Sequence, residues 1–208
     1  GQPRNDVFYD KNGMFTPSHQ LEKAAKGKKV VLYAPTHRQE GKIVFPLRKQ
    51  FDFEKLNQWC VEHNMVFVIR RHFYHKNEEV DFSMYSNITD ITKKSMDIQE
   101  ILMDTDILIS DYSSTYIDYL LLDRPLIFYN FDYEDYLQND REMYYDYDEV
   151  TPGYKAATFD ELMTELDSIA KDEDHFVEER QRVRDLFYCK DGQQMVGEKL
   201  LEFLKNIK

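Results

Sequence analysis

The amino-acid sequence predicts a doubly wound α/β fold, in which helices cover both faces of a parallel sheet. Short, almost continuous apolar runs indicate strands that are buried on both faces. Amphipathic segments with helical spacing alternate with these runs along the chain. The length of 208 residues suits one domain with a substantial core and is short for two. We therefore expect a single domain that ends in helices.

Within this domain the sequence suggests three stretches. Residues 1–27 contain turn-forming residues without hydrophobic periodicity, so we expect an irregular lead-in. Residues 28–150 contain the apolar runs and the polar segments that follow them, so we expect the sheet core and its loops there. Residues 151–208 should be mainly helical.

Apolar runs predict strands at 29–34, 65–69, 107–109 and 125–129. Capping residues and helical spacing predict the helices between and after them. Helices are expected after Asp52, after Asp97 and after the segment 111–115. A further helix should begin at Thr158, with a capping box to Glu161, and two more should occupy about 175–187 and 193–206.

Composition excludes several classes of protein. Hydrophobic residues make up 42% and charged residues 32% of the chain, which excludes disordered, collagen-like and low-complexity sequence. No apolar run approaches the roughly 18–20 residues of a membrane span, and no leader-like segment opens the chain. Cys60 and Cys189 lie far apart with no CxxC motif, so neither a disulfide framework nor a zinc site is expected. We expect a soluble, intracellular protein.

Charge is distributed unevenly along the chain, whose formal net charge is −12. Residues 1–50 carry ten Lys or Arg and four Asp or Glu, whereas residues 101–150 carry two and thirteen. The acidic stretch would repel a nucleic-acid backbone, so nucleic-acid binding is not expected. Small anionic ligands remain possible, because backbone donors and a local cation can hold a phosphate on an acidic protein.

In doubly wound sheets ligands bind outside the carboxyl ends of the strands, which directs attention to three segments. In the first, 111–115, a strand runs directly into a helix, so backbone N–H groups and the hydroxyls of Ser113 and Ser114 could hold a phosphate or diphosphate. Asp118, one turn further, could accept hydrogen bonds from a sugar or polyol hydroxyl. The alternative is that Ser113 is an ordinary helix N-cap.

The other two segments follow the strands at 29–34 and 65–69. Thr36, His37 and Arg38 could contact an anion, although a polar loop is the more common explanation of such residues. His72 could donate a proton to a leaving phosphate or bind a diphosphate oxygen, although it could also be an ordinary surface histidine. His75 is a weaker candidate.

Acidic and aromatic residues dominate 128–149, with eight of each and Arg141 as its single base. EF-hand spacing and His–carboxylate pairs are missing from it, so we expect a solvated, aromatic-stabilised loop beside the site and no metal. The chain contains no GxSxG, Walker A or GxGxxG motif, which disfavours hydrolases, ATPases and ordinary dehydrogenases.

Together these segments resemble the CDP-glycerol glycerophosphotransferase family, the teichoic acid and capsule polymerases and primases. The most specific part of the resemblance is the block from Asp106 to Tyr129, which contains Asp-Tyr-Ser-Ser at 111–114 and Arg-Pro at 124–125. The remaining segments that resemble the family, in the same order, are 1–6, 33–36 with Arg38, and 152–153. The resemblance covers nearly the whole chain.

The resemblance implies a GT-B architecture of two Rossmann-like domains, of which residues 1–208 resemble the C-terminal, nucleotide-binding half. The family's other catalytic histidine belongs to an N-terminal half that no segment here matches. Family chemistry is attack of an acceptor hydroxyl on the β-phosphorus of CDP-glycerol, which transfers glycerol phosphate and releases CMP. No cofactor or metal is expected. His72 falls where the family has a His-Pro pair, and Phe73 replaces the proline.

By this resemblance, His72 would assist the leaving CMP, and Ser113 and Ser114 would hold the diphosphate. Asp118 would contact the polyol or ribose. The further substrate contacts would be Thr36, Arg38 and Asp111.

The expected partners are a CDP-glycerol or CDP-ribitol donor, a polyol-phosphate or lipid-linked acceptor, and the missing N-terminal domain. The parent protein would lie at the cytoplasmic face of a bacterial membrane as a peripheral protein. Two alternatives are a GT-B glycosyltransferase that uses a sugar nucleotide and a nucleotide-binding module without catalysis.

Overall fold

The computed structural model describes residues 1–10, 12–39, 44–72, 76–77, 79–140, 143–188 and 196–207. Within these ranges the strands are Lys29–Tyr33 (β1), Val44–Phe45 (β2), Met65–Ile69 (β3), Lys76–Asn77 (β4), Ile88–Asp90 (β5), Ile107–Ser110 (β6), Leu126–Tyr129 (β7) and Tyr154–Ala156 (β8). The helices are Glu22–Ala25 (α1), Leu47–Gln50 (α2), Phe53–Glu62 (α3), Ile98–Met103 (α4), Thr115–Tyr119 (α5), Tyr133–Asn139 (α6), Tyr147–Val150 (α7), Phe159–Ala170 (α8), Val177–Phe187 (α9) and Val196–Asn206 (α10).

Six strands form one parallel sheet in the order β5-β3-β1-β6-β7-β8. β1, β3 and β5 follow one another from the centre of the sheet to one edge, and β6, β7 and β8 follow one another to the other edge. The strand order therefore reverses between β1 and β6. This is the strand order of a Rossmann-like sheet. β2 and β4 pair separately. The predicted doubly wound α/β fold with C-terminal helices is confirmed.

Helices cover both faces of the sheet, and each strand contributes side chains to both layers. Val31 and Tyr33 of β1 pack in one core, together with residues of α3 and α8. Val30 and Leu32 face the other core, together with residues of α4 and α5. This two-sided burial explains why the strands are almost continuously apolar in sequence.

Most of the predicted elements are present. β3 has the predicted bounds, and β1, β6 and β7 differ from them by one residue at one end. Asp52 caps α3 by accepting a hydrogen bond from the Lys55 amide at 3.0 Å. Thr158 and Glu161 form the predicted reciprocal capping box at the start of α8. The last two helices start two and three residues later than expected.

The lead-in 1–27 contains two short helices that the sequence analysis did not predict. Pro3–Phe8 forms a 3₁₀ helix, α1 follows at Glu22–Ala25, and Phe8 is fully buried. The segment is ordered by its contacts with the rest of the protein, which a search for local periodicity does not detect.

The sequence analysis also missed β5 and β8. Each has three residues, too few to show a pattern. β8 extends the sheet beyond residue 150, into the stretch expected to be mainly helical. Gly153 lets this strand approach β7, because a Cβ atom there would lie 2.5 Å from the Leu126 carbonyl oxygen.

Of the two cysteines, Cys60 lies on the buried face of α3. Burial raises the pKa of its thiol to about 12. Cys189, like His75, Phe73 and Arg141, lies outside the described residues. None of the helices described is long and apolar enough to cross a membrane.

Candidate active site at the carboxyl edge of the sheet

The two central strands bring the first two candidate segments together. Tyr33 of β1 lies beside Ile109 of β6, and the Ala34 amide donates to the Ile109 carbonyl at 2.9 Å. The loops that follow these strands therefore leave the sheet side by side at the point where the strand order reverses. Ligands of doubly wound sheets bind at this position.

A buried carboxylate joins these two loops. Asp111 is 1% exposed and accepts hydrogen bonds from the Thr36 amide at 2.8 Å and its own neighbour, the Tyr112 amide, at 2.7 Å. The Arg38 guanidinium donates to it at 2.8 Å. Arg38 also donates to the Thr36 carbonyl at 2.7 Å. Asp111 thus fixes the course of the loop after β1.

Arg38 extends this network to a third segment. Its Nε donates to Asp132 at 2.6 Å, and its guanidinium lies over the rings of Tyr112 and Tyr136. Burial by itself would lower the pKa of Arg38, but the carboxylates of Asp111 and Asp132 raise it above its ordinary value. The charge is therefore held permanently inside the protein. Substrate contacts by Arg38 and Asp111 stay predictions, and the contacts described give both residues a structural role.

The hydroxyls of the second loop are differently placed. Ser113 Oγ donates to Thr115 Oγ1 at 2.9 Å and accepts from the Thr115 amide at 3.3 Å. This is a local contact with the first residue of α5, whereas the alternative for Ser113 was the N-cap position itself. Ser114 is exposed, occupies the N-cap position of α5, and makes no side-chain cap hydrogen bond. Its hydroxyl can therefore face a ligand.

Thr36 provides a second hydroxyl at the same edge. Its Oγ1 is buried and has no hydrogen-bond partner among the described residues. Buried hydroxyls are nearly always paired, so an unpaired one beside a candidate ligand site is a hydrogen-bonding position that a ligand can fill.

His72 follows β3 on the other side of β1. Its ring lies 4.9 Å from the ring of His37, measured between centroids. Burial, His37 and Arg70 all lower the pKa of His72. The second and third candidate segments therefore meet at this edge, and their histidines face each other.

Asp118 lies in a different environment. It is 3% exposed, and its carboxylate accepts from Arg4, Asn5, Gln99 and Tyr188, with the Asn5 contact the shortest at 2.8 Å. These donors come from the N-terminal 3₁₀ helix, α4 and the end of α9. The carboxylate, on α5, joins the N-terminal 3₁₀ helix to α4 and to the end of α9. Its contact with a polyol or ribose stays a prediction.

The acidic stretch 128–149 supplies Asp132 and Tyr136 to the Arg38 network. Tyr112 and Tyr136 stack with centroids 3.9 Å apart, and Tyr112 donates to Asp132 at 3.1 Å. Among the described residues, groups of three or more His, Cys, Asp or Glu that could hold a metal are absent. The aromatic rings pack around Arg38 beside the site.

Asp132 was not singled out by the sequence analysis, and the positions of His37 and Arg70 relative to His72 were not predicted. His37 and Arg70 stood within the segments singled out, but their position relative to His72 depends on β1 and β3 being neighbours. Asp132 lies 94 residues from Arg38, so no local pattern links them.

The fold and this edge together define an α/β domain of the kind that binds a nucleotide at its switch point. Comparison with known families is more specific. The family model described as CDP-Glycerol:Poly(glycerophosphate) glycerophosphotransferase matches residues 1–204. The chain belongs to this family, as its resemblance implied.

Two curated relatives are named for different polyols, ribitol and glycerol. The chain is 36% identical to the teichoic acid ribitol-phosphate polymerase TarK of Staphylococcus aureus over 86% of its own length and 34% of TarK. It is 37% identical to a teichoic acid poly(glycerol phosphate) polymerase of Bacillus spizizenii over 74% of its length and 40% of that protein.

A solved structure supports the same relationship. The wall teichoic acid polymerase TagF, in a variant soaked with CDPG, matches 99% of this chain with a TM-score of 0.72 and 27% sequence identity. The match covers 50% of the TagF chain. The present chain thus spans between about a third and a half of these relatives.

Proposed function

We propose that this chain supplies the donor-binding half of an enzyme that transfers polyol phosphate from a CDP-polyol to an acceptor hydroxyl. The acceptor hydroxyl attacks the β-phosphorus of the donor, the bond to the bridging oxygen breaks, and CMP leaves. The product is a growing teichoic-acid or capsule polymer. Membership of the glycerophosphotransferase family over residues 1–204 is the observation that carries this proposal.

The site supports the proposal through the kind of groups it presents. Ser114 and Thr36 present hydroxyls at the carboxyl edge, and the imidazole of His72 lies at the same edge. Such groups suit a diphosphate bound outside the strands of a doubly wound sheet. In this proposal Ser113 and Ser114 contact the diphosphate and His72 assists the departure of CMP.

The polyol is left open between glycerol and ribitol, because relatives named for each polyol match this chain about equally well. The proposed acceptor is a polyol-phosphate chain or a lipid-linked primer. Since such acceptors are made at membranes, we propose that the parent protein works at the cytoplasmic face as a peripheral protein.

The test is thermal stabilisation of this chain by CMP, CDP, CDP-glycerol, CDP-ribitol, UDP and a UDP-sugar. A ligand present at 100 times its Kd stabilises a protein by about 2.7 kcal/mol. We expect cytidine nucleotides to raise the melting temperature and uridine nucleotides to have little effect. A preference for the UDP-sugar would favour a glycosyltransferase, and no response to any nucleotide would reject donor binding.

A further inference from the structure

Arg70, the first residue after β3, lies at the carboxyl edge beside the loops of the candidate site. Its amide donates to the Tyr33 carbonyl at 2.9 Å, which joins the end of β3 to the end of β1. Its guanidinium donates to the carbonyl of Met96, next to Asp97, the N-cap residue of α4. A helix that crosses over from a parallel strand begins at the edge where that strand ends. The backbone and the charged end of Arg70 therefore both lie at this edge.

The half-buried side chain of Arg70 is only partly used by the protein. An arginine carries five N–H donors. Arg70 donates to the Arg71 carbonyl at 3.1 Å and to the Met96 carbonyl at 3.5 Å. Its Nε is buried and has no hydrogen-bond partner among the described residues. Because buried donors are nearly always paired, the guanidinium is held by two carbonyls while part of its hydrogen-bonding capacity is left for another group.

The charge of Arg70 has no counterion in the described ranges. The three arginines that the structure shows as buried each form an ion pair with an aspartate; they are Arg38, Arg71 and Arg180. Arg70 forms no ion pair with any described carboxylate, including Asp140, which accepts from the Gln39 amide at 2.5 Å. A charge partly withdrawn from water without a partner is costly, and an anion bound there would offset this cost.

Arg38, the cation that the sequence analysis placed among the substrate contacts, is less suited to this task. Its guanidinium is 2.8 Å from Asp111 and 2.6 Å from Asp132, so two carboxylates already balance its charge. A phosphate that approached Arg38 would also approach these carboxylates. Of the two guanidinium groups, that of Arg70 is therefore the better anion ligand.

We propose that Arg70 binds a phosphate group of the donor through its remaining N–H groups and supplies the positive charge of the phosphate site. This inference rests on the proposed function, since it names the residue that receives the donor's charge. A guanidinium can bind phosphate through two parallel N–H···O bonds, which fixes the orientation of the phosphate as well as its position.

The place of Arg70 also connects the phosphate to His72, two residues further along the chain. Burial lowers the pKa of His72, and the charges of His37 and Arg70 lower it further. The guanidinium therefore lies within electrostatic reach of the imidazole that is proposed to assist the departure of CMP.

The first experiment measures the binding of inorganic pyrophosphate, CDP and cytidine to the wild type and to Arg70→Gln by titration calorimetry. Glutamine can still donate to a carbonyl, but it carries no charge. We expect pyrophosphate and CDP to bind at least tenfold more weakly to the variant, the loss expected for a hydrogen bond to a charged group. Cytidine, which has no phosphate, should bind equally to both proteins, whereas a structural role of Arg70 would weaken all three ligands.

Arg124→Gln is the matched control. Arg124 also donates to two backbone carbonyls, those of Met103 and Thr105, and forms no ion pair with a described carboxylate. It comes just before β7, at the opposite edge of the sheet. Arg124→Gln should leave the affinity for pyrophosphate unchanged, whatever its effect on the melting temperature.

Arg70→Lys tests the proposal independently of the loss of charge. Lysine keeps the positive charge and lacks the planar pair of donors, so it should recover part of the affinity that Arg70→Gln loses. It is also the variant to measure if thermal melting shows that Arg70→Gln does not fold, and a severalfold weaker binding of pyrophosphate than in the wild type is then expected.

The outcomes separate the two proposals. Wild-type affinity for pyrophosphate in Arg70→Gln, or an equal loss in Arg124→Gln, would overturn the role of Arg70. If CDP binds without any dependence on Arg70, the proposed function stands and this inference fails. If pyrophosphate binding depends on Arg70 but no cytidine nucleotide binds, the phosphate site stands and the proposed function is wrong. If neither pyrophosphate nor CDP binds, both are rejected.

Discussion

Individual polar residues near this edge form two groups, according to the hydrogen bonds and ion pairs that they make within the protein. Arg38, Asp111 and Asp118 are buried, and each is bound by several groups of the protein itself. Ser114 makes no side-chain cap hydrogen bond, the Thr36 hydroxyl has no partner among the described residues, and His72 lies against His37 at the edge of the sheet. Substitutions in the first group should act mainly on stability, and those in the second mainly on ligand binding or turnover.

Replacing both Ser113 and Ser114 with Ala should weaken nucleotide binding more than it weakens folding. Loss of a neutral hydrogen bond costs roughly 0.5–1.5 kcal/mol, and more when the partner is charged. Titration calorimetry with CDP and thermal melting separate the two effects. A lower melting temperature with unchanged CDP affinity would leave these hydroxyls with a structural role only, such as the contact of Ser113 with the Thr115 amide.

His72→Ala should lower turnover by about 10²-fold or more, the usual range for a positioned acid or base. The assay requires a protein that contains both halves of the proposed cleft, with CMP release as the readout. Donor affinity should fall much less, because the hydroxyls at this edge remain. Wild-type rates would remove His72 from the site, whereas lost binding at normal turnover would make it a binding residue.

Asp118→Ala should destabilise the protein by about 2–3 kcal/mol, because three buried donors lose their shared acceptor. Arg4 contributes little to this cost, since its side chain is 50% exposed and regains water. Urea denaturation measures the change. Asp135→Ala, on the exposed face of α6, is the control and should cost less than about 0.5 kcal/mol. Weaker CDP-polyol binding with unchanged stability would instead support the predicted polyol contact.

At the scale of elements, the edge strand β8 depends on one residue without a side chain. Gly153→Ala would place a methyl group against the Leu126 carbonyl, so β8 or β7 must move. We expect a loss of about 1–3 kcal/mol, the usual cost of overpacking.

Gly27→Ala is the matched control for Gly153→Ala, because open space surrounds Gly27 and only its φ of +78° resists a side chain. It should cost about 1–2 kcal/mol through backbone strain alone. Local hydrogen exchange distinguishes the two variants. Faster exchange in β8 is expected from Gly153→Ala only, and its absence would show that β7 and β8 absorb the methyl group.

The sequence predicted some elements better than others. The well-predicted elements have a local hydrophobic pattern, whereas the others depend on contacts with distant residues. A five-residue run such as Met65–Ile69 is apolar because the sheet buries both of its faces, so the pattern is local. Ile88–Asp90 is paired on one side by β3 and is too short for a pattern to emerge. The 3₁₀ helix Pro3–Phe8 is fixed by Asp118, more than a hundred residues away.

The site was predictable in its location and less so in its contacts. Polar segments directly after apolar strands identified the edge, because parallel strands end together. The ion pairs of Arg38 and the facing of His37 and His72 depend on strand order and on a loop more than ninety residues from Arg38. Local sequence patterns therefore do not predict these contacts.

At the scale of the whole molecule, the chain represents between about a third and a half of its relatives. We therefore expect these 208 residues alone to bind cytidine nucleotides weakly and to transfer nothing, because in the proposed function a second domain forms the acceptor side of the cleft. The measurement is CMP release from CDP-glycerol and CDP-ribitol in the presence of a polyol-phosphate acceptor. Steady release by the 208 residues alone would show that one domain suffices.

The contact between the N-terminal 3₁₀ helix and α10 has a mechanical consequence. Asp6 accepts from the Val196 and Gly197 amides at 2.9 and 2.6 Å, so the first and last elements of the described chain are fastened to each other. A pulling force applied at residues 1 and 207 would be carried by this contact before it reached the sheet. The N-terminal 3₁₀ helix and α10 would separate from each other first, at low force. The parallel strands would be loaded later and in shear, and would resist as a separate unit.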